Sequence, residues 1–417
     1  MQPPRQTLAV FAAILLAACQ QEPTAPASLQ TIVNLRDGQR RLVVSPDHLS
    51  LTPGATAQLT AQVLSARGSP ILGAKITFTS ADPSIATVDA TGLVTAVATG
   101  STAITVSSRG AAAVMVPVSV VETTHPAGTI AATLTIRGRL YGAAVSKVGV
   151  TYLTQPDSNL LQRIDLPTAA FSGSVAVGNQ ATDVAFDTSG AFAFVTNQFD
   201  ANVGVVSTAS NATISTIPVP FNPFRVLASV DAHTAFVSGT APQLAVVDRL
   251  TGTTVATIGL PDLSNGLALN STGSKLYASL LFSGQVVEID VATRTVVRTF
   301  PIPGAGTLQA VTVSRDDAEL YVADEGTSQL WIIDLTSGNV SGVVALGGGG
   351  FEAKVTPDNA QIYVALSSNG IVRVIDRAGR TVVATIATGG APRRLAFTRN
   401  GNTAVIANEA GWVDIIH

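Results

Sequence analysis

A chain of 417 residues exceeds one ordinary core, and at ~150 residues per domain it predicts about two or three domains. Lys and Arg number 24 against 27 Asp and Glu, a net charge of -3, and charged residues are only 12% of the chain, about half the usual share. This excludes the basic stripe of a nucleic-acid protein and the charge blocks of an acidic tail, and a single cysteine excludes a disulfide framework or a cysteine-based zinc site. Hydrophobic residues reach 46% while aromatics stay at 5%, which favours strands faced with small and β-branched side chains.

Arg5 opens the chain with a basic residue, and Leu8 to Ala18 is an unbroken apolar run of eleven residues. A membrane-spanning helix needs about 20, so the run has the size of a secretory h-region. It ends in Leu16-Ala17-Ala18-Cys19, which resembles the bacterial lipobox. The resemblance implies cleavage after residue 18 and lipid on Cys19, the only cysteine. Cleavage removes Arg5 and leaves 23 basic against 27 acidic residues, a net charge of -4. Gln20 follows the cysteine where an inner-membrane retention signal has Asp, so the outer membrane or cell surface is expected. Residues 19–40 form a polar, Pro-bearing linker.

From residue 41 to 121, short alternating runs are predicted at Arg41–Ser45, Leu49–Leu51, Ala57–Leu64, Ala74–Thr79, Ile85–Val88, Leu93–Ala96, Ala103–Ser107 and Ala113–Val121. Turn residues such as Asp82-Pro83-Ser84 and Thr99-Gly100 separate them, the pattern of a β-sandwich. The stretch Ser84-Ile85-Ala86-Thr87-Val88-Asp89, continued by Gly92-Leu93-Val94-Thr95-Ala96, closely resembles the bacterial immunoglobulin-like (BIG) domains of group 2. The resemblance implies a spacer or adhesive module.

Residues 122–417 repeat. A marker closing on Ile-Asp or Val-Asp ends at Asp165, Asp248, Asp290, Asp334 and Asp376, with a degenerate copy at Ser207, and the successive gaps are 42, 41, 42, 44 and 42 residues. Each marker precedes a run such as Thr381–Ile386, a Gly/Pro turn, and two further strands around a polar turn. Four short strands per ~42 residues is the pattern of a β-propeller blade, which gains stability by stacking on its neighbours. The marker carboxylates read as turn devices. The units, best at Asp376 to Pro392 and Asn400 to Asn408, resemble the YVTN-type repeats of the YncE-like group.

Innermost strands fall near 140–146, 182–187, 225–230, 266–270, 310–314, 352–356 and 394–398, which makes seven units. The last unit stops at its third strand, while Thr129–Ile136 is an orphan fourth strand with no unit of its own. It is expected to pair with Trp412–Ile416 and remove the open sheet edge. The fold class is therefore all-β, a seven-bladed β-propeller preceded by an immunoglobulin-like β-sandwich.

Propellers bind ligands at the mouth of the central channel. The loops before first strands and after second strands should place there Arg139, Tyr141, Gln180, Asn197, Phe199, Phe224, Arg225, Asn265, Phe282, Gln309, Asp324, Glu325, Phe351, Glu352, Arg393, Arg394, Asn408 and Glu409. Aromatics mixed with Arg and carboxylates suit recognition. Arg225, Arg393 and Arg394 could hold a carboxylate or phosphate; equally, Arg393 and Arg394 beside Asp324, Glu325 and Glu352 could be an ion-pair network with no further task.

Four histidines, His48, His125, His233 and His417, show no metal spacing, and no Gly-x-Ser-x-Gly elbow appears. The glycine-rich Gly347–Gly350 precedes a strand and not a helix, so it makes no phosphate cradle. No metal or cofactor is expected. The leading expectation is a non-enzymatic, lipid-anchored envelope protein whose propeller binds a protein, a cell-wall glycan or a small anion. The alternative is a lyase or hydrolase with Glu325, Glu352 or Asp324 as base and Arg393 as electrostatic helper. A third reading is an adhesin with the propeller as a rigid head.

Overall fold

The computed structural model describes residues 40–51, 53–66, 68–120 and 125–417. The expected signal peptide, the lipidation position Cys19 and the linker up to residue 39 lie outside the described residues. Those described are all-β: two single-turn 3-10 segments, Pro156–Ser158 and Gln198–Asp200, are the only helical pieces among them.

In the N-terminal part, Leu49–Leu51, Val114–Val120, Gly100–Ser108 and Ile76–Ser80 form one sheet in that order, and Thr56–Gln58, Leu93–Ala96 and Ala86–Val88 form another. Arg41–Ser45 pairs with Thr60–Leu64. Period-two patterning does the work: Val116, Val118 and Val120 turn inward from one strand and meet Leu59, Val63, Val94 and Ile104 in a single core. The expected run Ala57–Leu64 is interrupted at buried Leu59, whose N–H leaves the ladder to reach the Gly92 carbonyl at 2.9 Å.

Seven four-stranded antiparallel sheets follow between residues 130 and 417. In six of them the strands pair in chain order. The seventh runs Pro392–Phe397, Ala404–Asn408, Trp412–Ile416 and then, outermost, Ile130–Thr135. That last pairing sets Ile130 opposite Ile416 and Thr135 opposite Trp412, and Thr129 and His417 exchange two backbone hydrogen bonds of 3.0 Å. The expected orphan strand is therefore hydrogen-bonded where the repeat count placed it.

The first strands are Ala143–Val145, Ala181–Phe186, Pro223–Ala228, Ser264–Leu269, Leu308–Val313, Glu352–Val355 and Pro392–Phe397. Second strands such as Ala404–Asn408 are buried on both faces, whereas fourth strands such as Thr253–Gly259 alternate and leave one face to water. Small side chains permit the close packing of the inner strands. Each consecutive pair of sheets shares a core: Ala310, Tyr321 and Ile332 of the fifth meet Ala353, Val364 and Ile375 of the sixth. Leu140, just ahead of the first sheet, and Leu153 and Ile164 within it meet Val405, Ala407 and Val413 of the last.

The repeated marker behaves as a turn device. Asp290 accepts the Thr293 N–H at 2.7 Å, Asp334 that of Ser337 at 2.6 Å and Asp376 that of Gly379 at 2.5 Å. Four residues after each marker the backbone is left-handed, at Ala169, Asn211, Gly252, Arg294, Gly338 and Arg380. Glycine fills this position only twice, so the turn geometry is imposed by the carboxylate and the flanking strands rather than by glycine alone.

Candidate functional site

First strands from all seven sheets converge on two cavities. The outer one, about 370 Å³, is lined by Tyr141, Gln180, Thr182, Gln198, Phe224, Ser264, Asn265, Gln309, Phe351, Arg393, Arg394 and Glu409. The inner one, about 590 Å³, is lined by first-strand residues of all seven sheets and by residues of the turns at their far ends, with Asp183, Arg225, Arg315, Glu352, Lys354, Arg394 and Arg399 among them. Arg394 lines both.

A buried charge cluster joins them. Glu352 is fully buried and accepts a forked pair of hydrogen bonds from Arg225, at 2.7 and 3.2 Å. The same carboxylate takes Arg394 at 2.8 Å and lies 3.7 Å from Lys354. Arg225 also approaches Asp183 at 3.8 Å, and Asp183 accepts the Val226 N–H at 3.1 Å. Arg225 starts from the third sheet and Glu352 from the sixth, so the pair spans the cavity. Burial opposes ionisation of Glu352, but Arg225, Lys354 and Arg394 outweigh it and hold its carboxyl well below the usual range. Burial likewise pulls the Lys354 ammonium down, offset in part by Glu352.

The outer cup has a different chemistry. Tyr141 and Phe351 meet edge to face with centroids 6.0 Å apart. The Arg393 guanidinium lies 4.3 Å over the Phe351 ring and that of Arg394 5.0 Å, so Phe351 is a platform for the two arginines. Arg393 is also paired with Glu409 at 2.6 Å. Arg139 joins this edge through Asp157 at 2.7 Å and Glu409 at 3.8 Å. On the opposite wall Asn265 donates to Gln309, which donates to Glu325 at 2.5 Å. Phe224 and Tyr141 stay half-buried and open to the cup.

Of the residues expected at the mouth, Tyr141, Gln180, Phe224, Asn265, Gln309, Phe351, Arg393, Arg394 and Glu409 come together in the cup. Arg225 and Glu352 lie deeper, in the inner cavity. Asn197, Asp324 and Asn408 end second strands, are fully buried and brace loops. Asn197 accepts the Gly178 N–H at 3.0 Å, and Asn408 that of Ala391 at 2.8 Å. Asp324 accepts from Thr327, Gly306 and the Trp331 indole; these donors outweigh burial and keep it ionised below the usual range. Phe199 and Phe282 are 61% and 65% exposed and stand outside the cup.

Arg393 and Arg394 do not share one carboxylate cluster, as the sequence allowed: one answers Glu409, the other Glu352. Sequence reasoning passed over Asp183, Lys354 and Arg315. The available signal for the first two was a charge inside an otherwise buried first strand.

Residues 41–115 match the family of bacterial Ig-like domains of group 2, so the chain carries such a domain ahead of a β-rich, propeller-like part. The hydrazine synthase of Kuenenia stuttgartiensis has a similar fold, with a TM-score of 0.63 and 19% identity, over 68% of this chain and 97% of that one. At that identity the likeness concerns the fold alone. No curated protein matches this sequence.

Proposed function

We propose that this is a lipid-anchored cell-envelope binding protein, with the Ig-like domain as spacer and a closed seven-bladed propeller of the YVTN/YncE-like type as binding head. Supporting closure, every consecutive pair of the seven sheets shares a core, the first packs on the last, and Ile130–Thr135 completes the seventh. The lipid tether rests on the Leu16-Ala17-Ala18-Cys19 sequence. Cys19→Ala is expected to move the protein from the membrane to the soluble fraction or leave it unprocessed; unchanged membrane fractionation defeats the tether.

The observation that carries the binding role is the outer cup, to which strands of five sheets contribute side chains and the loops leading into the other two add Tyr141 and Phe351. Its volume of about 370 Å³ lies within the ~300–1,000 Å³ of small-molecule sites. Its arginines are already neutralised by Glu409 and Glu352, so the free chemistry is two aromatic rings among amides and hydroxyls. That combination suits an uncharged polyhydroxylated ligand, a cell-wall glycan fragment, better than an anion. Neither Glu352 nor Asp324 is poised as a base, since both are held ionised by fixed donors.

Titration of the mature chain with a panel of soluble glycan fragments should yield saturable binding. Phe224→Ala with Tyr141→Ala is expected to weaken it by about tenfold or more, the scale of losing well-packed aromatic anchors. Equal affinity in the double variant and the parent removes the cup from the reading.

A further inference from the structure

We propose that the inner cavity is a second binding site, for a compact polyanion bearing phosphate or carboxylate groups. The charge of this space is unmatched. Five cationic side chains, Arg225, Arg315, Lys354, Arg394 and Arg399, line this space, against two carboxylates, Asp183 and Glu352. The whole chain is net negative, so the excess is local.

Pairing uses up the carboxylates. Glu352 already takes Arg225 and Arg394, with Lys354 at 3.7 Å, and Asp183 faces Arg225. Arg315 pairs with no carboxylate among the described residues; its guanidinium makes one long bond, 3.4 Å, to the Val355 carbonyl. Arg399 donates to the Ser119 hydroxyl at 2.6 Å and likewise has no carboxylate partner there. The Nε–H of Arg394 is buried, on a side chain only 2% exposed overall, and has no acceptor. A buried donor without an acceptor is rare in a folded protein and marks a place where one is wanted.

A bound polyanion would give that donor its acceptor and would give the Arg315 fork and the Lys354 ammonium, both partly open to water, a counter-charge. The cavity, at about 590 Å³, has room for such a ligand. This site differs in location and chemistry from the glycan cup and does not depend on it.

The test uses the mature full-length chain with pyrophosphate and citrate as probes, at constant ionic strength, read by calorimetric titration and thermal unfolding. Saturable binding of either probe is expected, raising the unfolding midpoint by roughly 5 °C at a hundredfold excess over Kd. Arg315→Ala and Lys354→Met should each weaken it about tenfold or more, while exposed Lys147→Ala leaves it unchanged. The probe held more tightly tells phosphate from carboxylate chemistry. Arg315→Ala removes a side chain with a single long hydrogen bond, so its unliganded melt should match the parent. Absence of saturable binding overturns the proposal, and so does binding that survives both cavity substitutions, which would be surface association.

Discussion

Glu352→Gln is expected to lower stability by about 3–5 kcal/mol, the cost of breaking a buried ion pair from one side. The reason is local and specific. One carboxylate, with no exposure at all, answers Arg225, Arg394 and Lys354, so its removal strands the two buried guanidiniums and takes the counter-charge from the partly exposed ammonium. The neutral amide can still accept one hydrogen bond but supplies no charge. At about 1–2 °C per kcal/mol for a folded unit of nearly three hundred residues, the melting temperature should fall by roughly 5–8 °C. Adding Arg225→Gln should cost less than the sum of the two single changes, because it removes one of the stranded charges. A Glu352→Gln variant that melts with the parent would mean that the cluster contributes nothing net.

The pH dependence has a definite sign. The folded carboxyl of Glu352 is depressed below its ordinary value of 4.5, so the unfolded chain binds more protons in the window beneath that value. The stabilisation is complete above pH 4.5 and is lost as the pH falls through the depressed folded value. The gap in melting temperature between parent and Glu352→Gln should therefore be widest near neutrality and shrink as the solution is acidified below pH 4.5. A gap that widens on acidification contradicts the assignment.

Much of this architecture was legible from spacing. Markers recurring every 41 to 44 residues located the strands, and counting alone exposed Thr129–Ile136 as a strand without a sheet. Which loops line the cup was legible too, since loops before first strands gather at one end, but not that Arg225 and Glu352 lie deeper. Direction was not. In five of the first strands the register shifts near the start, as between Pro223 and Arg225 or Pro392 and Leu395. Simple alternation then cannot say that Arg394 turns down to Glu352 while Arg393 turns out to Glu409. Nor can it separate Asn197, Asp324 and Asn408, which brace loops, from their exposed neighbours. The pairing of Arg225 with Glu352 joins residues 127 apart across the cavity and leaves no local trace in the chain.

The second large effect concerns the strand that completes the seventh sheet. Replacing Ile130–Thr135 with a Gly/Ser stretch of equal length removes a ladder from Ile130 opposite Ile416 to Thr135 opposite Trp412. It also removes the Thr133 hydroxyl from Asp414, a buried carboxyl whose ionisation burial opposes and which depends on Thr133 and the Trp412 indole for donors. Leu134 no longer covers the cluster that joins the first and last sheets. Half a dozen hydrogen bonds at about 0.5–1.5 kcal/mol net, together with the lost packing, amount to roughly 5 kcal/mol. The melting temperature should drop by roughly 5–10 °C. Trp412–Ile416 would become an open edge, and concentration-dependent association should appear in sedimentation. A synthetic peptide of residues 129–136 added in trans should restore part of the lost stability by occupying that edge. If the replaced chain instead melts with the parent and stays monomeric, the seventh sheet does not rely on this strand for its stability.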